Sequence, residues 1–412
     1  MDASRRKFLA TLAGGSTVLS LGGLVPEFLA QAAVAEPPGG GDAILVVIQL
    51  TGGNDGLNTV VPYNHDEYRK ARPKLAIAGA DVLKINDAVG FHPSARGFAD
   101  LLDGGKLAVV QGVGYLNPNR SHFESMDVWH TCQRKGTPRS TGWLGRFLDS
   151  TREAEDVDAP AIHVGSEKQP LALAAEFVRV PSFVSPETFR LQDGDSHQLR
   201  DAIRNLADRR PEPSDPLLGF LQSSTTSALA ASERIAEALR EYDTPVTYPD
   251  SDLAVRLKTI AQLIDAGLKS CVYYVELDGF DTHSQQAAAH ASLLRQLGDA
   301  VRAFVDDVAH HGHGDRTLVM SFSEFGRRVA ENASAGTDHG AAAPMFLAGS
   351  PVRAGLVGEH PSLDDLEDGD LKFHTDFRQV YATLLDRWLG WSSASVLGGE
   401  YKSLDLFRYA RF

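Results

Sequence analysis

The stretch Cys271-Val-Tyr-Tyr-Val-Glu-Leu277 runs directly into Asp278-Gly-Phe-Asp281-Thr-His283. Its first part has the continuous apolar composition of a strand that is buried on both faces. Asp281 and His283 are two residues apart, so an extended backbone places both side chains on one face, where they can bind the same cation. The alternative is a turn in which Asp281 or Ser284 caps the next helix. We favour a metal site, because capping does not need His283.

Two further motifs of this kind lie closer to the C-terminus. Ser323-Glu324-Phe-Gly-Arg327 follows an apolar run, and Gly336-Thr-Asp338-His339-Gly340 precedes another. Glu324, Asp338 and His339 are candidate metal ligands, and Arg327 is a candidate group for holding an anion in a bidentate way. The competing interpretations are a surface pair of Glu324 with Arg327 at a helix start, and an ordinary turn around Asp338.

Apolar, β-rich runs alternate with amphipathic segments along the chain. The predicted strands are residues 43–50, 107–112, 161–164, 271–277, 317–321 and 345–348, and the predicted helices include residues 252–268, 287–308 and 376–388. This alternation predicts an α/β fold with a mostly parallel sheet and helices on both faces. Ligands of such folds bind at the carboxyl ends of the strands, which is where these motifs lie.

The first predicted strand ends in Gly52-Gly53-Asn54-Asp55-Gly56. Glycines at a strand end allow a sharp turn and a close approach of the backbone to a ligand. Asn54 and Asp55 would present oxygen atoms there, so both are candidate metal ligands. The alternative is a common Gly/Asn/Asp turn without a further role.

The stretch Arg120-Ser121-His122-Phe123-Glu124 follows the second predicted strand. Ser121 is a candidate nucleophile whose hydroxyl would be activated by a metal ion or by His122. Arg120 is a candidate group for binding the anion of a substrate. Alternatively, Ser121 caps the next helix and Glu124 completes a capping box. The two roles are compatible, because a helix N-terminus offers N–H donors to an oxyanion.

The N-terminus carries an export signal. Ser4-Arg5-Arg6-Lys7-Phe8-Leu9 is typical of the twin-arginine pathway, a mildly apolar stretch follows, and Ala33-Val34-Ala35 suits signal peptidase. We therefore predict a signal peptide at residues 1–35, a linker at 36–42 and one domain at 43–412. The translocation machinery would be a partner, the location periplasmic or extracellular, and no membrane span would remain after cleavage.

Residues 193 to about 250 are polar, charged and interrupted by Pro211, Pro213 and Pro216. Their pattern predicts a helical insertion in the domain, or alternatively two surface helices of it. The formal net charge of the chain is −14, which argues against nucleic acid as a partner but leaves room for a small anionic substrate. The sequence has two widely separated cysteines and no CxxC pair, which argues against iron–sulfur, c-type haem and thioredoxin-like chemistry.

Taken together, the export signal, the glycine turn and the strand-end motifs, with Asp376-Phe377-Arg378 near the C-terminus, resemble the DUF1501 family of exported bacterial proteins. That family is grouped with the alkaline phosphatase and sulfatase superfamily. The resemblance implies a central sheet with helices on both faces and one or two divalent ions, zinc, manganese or magnesium, at its carboxyl edge.

The resemblance also implies roles for individual residues. The first-strand acid of the superfamily corresponds to Asp55 or Asn54, and its nucleophile falls near Ser121. Its remaining ligands correspond to Asp281, His283, Glu324 and His339. The chain departs from the pattern in two places: Asp281 and His283 are spaced Asp-x-His, and Glu324-Phe325 replaces an Asp-His pair. The sulfatase motif Cys-x-Pro-x-Arg is absent from the sequence.

Two functions follow from these observations. The first is an exported, metal-dependent hydrolase of phosphate or related esters, acting on an anionic small molecule. The second is a non-catalytic exported protein of the same fold that binds a cell-surface component or a partner protein. The imidazole that is missing beside Glu324 favours the second function.

Overall fold

A computed structural model of the chain describes residues 42–137, 139–151, 160–165, 168–178, 180, 182–183 and 242–409. The predicted signal peptide and all but the last residue of the predicted linker lie outside these ranges. So does the predicted insertion up to residue 241. Among the described helices, none has the length and the apolar composition that a membrane span requires.

The described strands, in chain order, are β1 (Ile44–Thr51), β2 (Val60–Val61), β3 (Leu83–Lys84), β4 (Gly90–Phe91), β5 (Leu107–Gly114), β6 (Ala161–Val164), β7 (Ser182–Phe183), β8 (Val272–Asp278), β9 (Thr317–Ser323), β10 (Ala343–Ala348), β11 (Gly355–Val357), β12 (Leu366–Glu367), β13 (Asp370–Leu371) and β14 (Thr375–Asp376). Nine of them form one sheet in the order β11-β5-β10-β9-β1-β8-β6-β7, with β14 beside β5. All pairings in that sheet are parallel except those of β10. The predicted mostly parallel α/β sheet is therefore confirmed.

The described helices are α1 (Gly56–Thr59), α2 (Asp66–Ala71), α3 (Arg96–Asp103), α4 (His122–Thr131), α5 (Trp143–Ser150), α6 (Asp252–Asp265), α7 (Gln286–His310), α8 (Phe377–Thr383) and α9 (Ser393–Leu397). A π-helical segment, Leu384–Trp388, continues α8. The predicted helices at 252–268, 287–308 and 376–388 correspond to α6, α7 and α8 with this segment.

Both faces of the sheet are covered by helices. Along β1, Val46 and Ile48 point into a core that contains side chains of α3, α6 and α7. Leu45 and Val47 point into a second core with side chains of α4, α5, α8 and α9. Because successive side chains of a strand alternate between faces, a strand buried on both sides must be apolar at nearly every position. This is the composition on which the strand predictions rest.

The topology brings several loops to one edge of the sheet. Thr51 pairs with Asp278, and Leu50 pairs with Ser323, so β1, β8 and β9 end level with one another. β10 runs in the opposite direction between β9 and β5. Its first residues therefore lie at the edge where its neighbours end, and β5 also ends at that edge.

Residues 242–250, the end of the predicted insertion, contain no helix or strand. They are attached to α7 through its buried Asp307. The hydroxyl groups of Tyr242 and Tyr248 donate to Asp307 Oδ2 at 2.6 and 2.7 Å, and Thr244 donates to Oδ1 at 2.5 Å. This carboxylate therefore fixes the segment that leads into α6.

Candidate metal centre

Four side chains meet at the carboxyl edge of the sheet. Asp281 and His283 come from the loop after β8, His122 is the first residue of α4, and His339 precedes β10. Asp281 Oδ1 lies 3.0 Å from Nε2 of His283, 3.2 Å from Nε2 of His339 and 3.3 Å from Nε2 of His122. The Nε2 atoms of His283 and His339 are 2.9 Å apart. Three ring nitrogens therefore surround one carboxylate oxygen. We call these four side chains the histidine cluster; three of them, His122, Asp281 and His339, form a candidate metal site.

The opposite nitrogen of each ring contacts an acceptor. Nδ1 of His122 lies 2.8 Å from Glu324 Oε1 and Nδ1 of His339 lies 2.7 Å from the carbonyl oxygen of Arg120, while Nδ1 of His283 lies 3.3 Å from an oxygen of Asp338. A neutral ring that donates from Nδ1 keeps the lone pair on Nε2, as metal-binding histidines do. Two such lone pairs repel each other at 2.9 Å unless a metal ion or a shared proton lies between them. The donor set therefore fits a metal ion.

Asp281 is ionised at neutral pH. Burial raises its pKa, but the hydrogen bond and the charge of Arg327, together with the neighbouring imidazoles, outweigh that effect and bring the pKa to about 2. Nη2 of Arg327 lies 2.7 Å from Oδ1 of the carboxylate. A carboxylate held in its charged form can bind a cation without first losing a proton.

Arg327 does not reach solvent. Its side chain is fully buried and also donates to four main-chain carbonyl groups, those of Gly52, Gly53, Phe280 and Thr337. The predicted role of Arg327 in holding a substrate anion is therefore corrected by the structure: the guanidinium cross-links the loops after β1, β8 and β9.

Glu324, a predicted metal ligand, lies behind the cluster and not in it. Its buried carboxylate accepts hydrogen bonds from the N–H groups of Gly52 and Gly53 at 2.9 and 3.2 Å and from the hydroxyl of Ser323 at 3.0 Å. Its remaining contact is with Nδ1 of His122, and this hydrogen bond raises the pKa of His122. The role of Glu324 is corrected accordingly: it orients the imidazole of His122 and closes the turn after β1.

Gly52 makes this turn possible. Its φ of +116° is one that residues with a side chain rarely adopt, and an added Cβ would lie 2.3 Å from the main-chain nitrogen of Asp281. The turn can therefore present its N–H groups to Glu324 only with glycine at this position.

Asp338 also acts on a histidine. Its Oδ1 accepts from Nδ2 of Asn332 at 3.2 Å and contacts Nδ1 of His283. The described contacts place this carboxylate on the far side of the ring from Asp281. Asp338 was predicted as a ligand, whereas the structure gives it the position of a group that orients one.

Asn54 and Asp55 belong to a different buried network. Oδ2 of Asp55 lies 2.6 Å from Nη1 of Arg72, and both side chains are fully buried. Burial raises the pKa of Asp55, but the charge and hydrogen bond of Arg72 outweigh it and lower the pKa. Oδ1 of Asn54 accepts from Nε2 of His290 at 3.0 Å and from Thr59 at 3.0 Å. These contacts separate both predicted ligands from the histidine cluster.

Ser121 and Arg120 lie on the loop that leads into α4. Ser121 is exposed, and its side chain makes no capping hydrogen bond, so the predicted capping box is not formed. Glu124 pairs with Arg139 at 2.6 Å instead. Nε of Arg120 donates to Asp370 at 2.9 Å, while its carbonyl group orients His339. The guanidinium predicted to hold a substrate anion thus already has a protein partner.

Sequence comparison places the chain in a family. The profile described as "Protein of unknown function (DUF1501)" matches residues 42–396. The chain belongs to the DUF1501 family. No curated protein matches it in sequence.

Several solved structures are similar to this DUF1501 protein. PsFucS1 sulfatase from Pseudoalteromonas sp. has a TM-score of 0.40 and 11% identity, over 89% of this chain and 71% of the sulfatase. Phosphonate monoester hydrolase SpPMH from Silicibacter pomeroyi has a TM-score of 0.37 and 10% identity, over 87% and 77% of the two chains. A protein in the alkaline phosphatase superfamily from Vibrio parahaemolyticus has a TM-score of 0.37 and 9% identity, over 91% and 75%.

His122 is the member of the cluster that the sequence did not identify as a ligand. The sequence associated it with activation of Ser121. The available signal was that β5 belongs to the parallel set of strands, so the loop after it starts at the same edge as the other motifs. The direction of the ring depends on where α4 begins and on Glu324, which is 202 positions away in sequence.

We expect Glu324→Gln to weaken metal binding by this DUF1501 protein about 10- to 100-fold, because the amide removes the charge that orients His122. Competition titration of zinc against a chromophoric chelator measures the change. Glu67→Gln is the matched control, since Glu67 lies on α2 and pairs with Lys70 at the surface. Equal affinities of wild type and Glu324→Gln would contradict an orienting role.

Proposed function

We propose that the protein is an exported, metal-dependent hydrolase of phosphate or related esters. The observation that carries the proposal is the meeting of three imidazole Nε2 atoms with Asp281 Oδ1, while every Nδ1 has an acceptor behind it. Three imidazoles and one carboxylate suit zinc, or manganese, better than magnesium, which prefers oxygen ligands. Among the described residues one group could hold a metal ion, His122, Asp281 and His339, so we propose one ion per chain.

Catalytic zinc sites use three protein ligands and leave one position to water or substrate. We assign His122, Asp281 and His339 as the three permanent ligands. The side chain of His283 is 44% exposed, compared with 28% for His122 and 21% for His339. His283 is therefore the ligand that we expect to give way when substrate enters.

A bound ion would polarise the ester and lower the pKa of a nearby hydroxyl group or water. The residues of the chain supply the rest. Ser121 directly precedes His122, and its hydroxyl is not used in capping, so it is free to attack. The first N–H groups of α4 are available to an oxyanion at this helix N-terminus.

Hydrolysis then replaces one ester bond with a bond to the attacking oxygen. A bond forms between phosphorus and the attacking oxygen of Ser121 or of a water molecule, which gives up its proton to solvent. The phosphorus–oxygen bond to the alcohol breaks, and the alcohol leaves with a proton from solvent. If Ser121 attacks, water releases the acid in a second step.

The test uses the protein from residue 36 onward, purified without added chelator. We expect about one zinc or manganese ion per chain by mass spectrometry, and hydrolysis of at least one p-nitrophenyl phosphate monoester, phosphate diester or sulfate ester. A chelator should abolish the activity, and zinc should restore it. A metal-free protein that hydrolyses none of these esters would overturn the proposal.

Ser121→Ala separates the two nucleophiles. Activity should fall by roughly 100-fold or more if the hydroxyl attacks, and it should persist if a water molecule attacks. Metal content should stay at the wild-type level in either case.

One observation favours the second candidate, a non-catalytic protein of this fold that binds a surface component or partner. The two arginines predicted to hold a substrate anion, Arg120 and Arg327, both bind other groups of the protein. A protein that binds a metal ion stoichiometrically and hydrolyses no ester of the panel would support this candidate.

A further inference from the structure

The segments that carry the cluster side chains offer little positive charge that is not already paired with a carboxylate. Arg327 is buried against carbonyl groups and Asp281. Arg120 donates to Asp370, and Arg328 lies 3.6 Å from the same carboxylate. Each guanidinium on these segments therefore already has a carboxylate partner.

The charges at the site can be counted. Among the described residues that these hydrogen bonds and ion pairs link to the cluster, three guanidiniums, those of Arg120, Arg327 and Arg328, stand against four carboxylates, those of Asp281, Glu324, Asp338 and Asp370. Their formal charge is −1, and a divalent cation brings it to +1. A singly charged ester would neutralise the site, whereas a doubly charged phosphomonoester would leave it negative, which is electrostatically less favourable.

The segment from Leu116 to Phe123, which leads into the start of α4, presents apolar side chains to solvent. Phe123 follows His122 directly and is 86% exposed, and Leu116, at the other end of the loop, is 62% exposed. Large side chains of this kind are normally buried on folding, because exposure of their apolar surface to water is unfavourable. Covering Phe123 with an apolar group of a ligand would remove that surface from water.

We propose that the site prefers singly charged esters that carry an apolar group, specifically phosphodiesters over phosphomonoesters, and that Phe123 contacts the organic group that the product retains. This inference rests on the proposed function. Cleavage of one phosphorus–oxygen bond by water yields an alcohol and a phosphomonoester. The monoester then loses a second proton to solvent, and its additional charge favours release from the site.

The first experiment compares two substrates of the metal-loaded protein at pH 8, where the monoester is doubly charged. We expect kcat/KM for bis(p-nitrophenyl) phosphate to exceed that for p-nitrophenyl phosphate by roughly tenfold or more. A preference for the monoester would overturn this inference and leave the proposed function intact. A protein inert on all esters would overturn both.

The second experiment tests Phe123 with two diesters that have the same leaving group, bis(p-nitrophenyl) phosphate and methyl p-nitrophenyl phosphate. Phe123→Ala should reduce the preference for the retained aryl group about 5- to 10-fold, the size of one aromatic contact. Phe177→Ala is the matched control, because Phe177 is 59% exposed on a different segment. An unchanged ratio in Phe123→Ala would exclude the proposed contact.

Discussion

Replacing His339 with glutamine should remove the bound metal ion and, with it, ester hydrolysis. Nε2 of His339 lies 3.2 Å from Asp281 Oδ1 and 2.9 Å from Nε2 of His283, so this ring lies between the other ligand atoms. Glutamine retains a polar side chain of similar reach but presents an amide, which is a much weaker ligand than imidazole. We expect kcat/KM to fall by more than about 100-fold, because loss of a ligand should exceed the effect of losing a group that only orients one.

Metal content by mass spectrometry and kcat/KM on the best ester measure this effect. His310→Gln is the matched control, because His310 is exposed at the end of α7. The control should retain both metal and activity. A His339→Gln protein that still binds one ion tightly and hydrolyses esters at the wild-type rate would refute the proposed ligand set.

Replacing Arg327 with methionine should destabilise the protein by about 3–5 kcal/mol, because each buried acceptor left without a donor costs about 1–3 kcal/mol. Asp281 would lose its closest positive charge, and four carbonyl groups of the loops would lose a donor. Lysine should not restore stability, because an ammonium group cannot reproduce the planar arrangement of guanidinium donors. Urea unfolding of the metal-free protein measures the free-energy change.

Arg328→Met is the control for this change. Arg328 is adjacent in sequence, but its side chain is 37% exposed and lies 3.6 Å from its carboxylate partner. We expect it to contribute no more than about 1 kcal/mol. If Arg327 instead held the substrate, Arg327→Met would raise KM and leave the free energy of unfolding unchanged, which is the opposite pattern.

The strands were predictable from the sequence because a strand with helices on both sides is apolar at nearly every position. All six predicted runs lie within two residues of an observed strand at both ends. Parallel strands that end level with one another place their following loops together, so the location of the site was predictable too.

The roles of the polar residues were harder to predict. Asp281, His283 and His339 do meet, as the motifs indicated. Glu324 and Asp338 lie behind histidines, and Asp55 pairs with Arg72 of the loop after α2. At sequence level these carboxylates look alike, because each lies in a turn next to an apolar run.

What the sequence alone determined is the α/β fold and the edge of the sheet at which the motifs meet, since both follow from local composition and strand direction. Only the tertiary structure decided which carboxylate faces the histidine Nε2 atoms and which ones lie behind the rings. The turn after β1 leaves the N–H groups of Gly52 and Gly53 in need of an acceptor, and Glu324 supplies it. Buried donors and charges must be satisfied across the fold, so the role of each acid depends on residues that are remote in sequence.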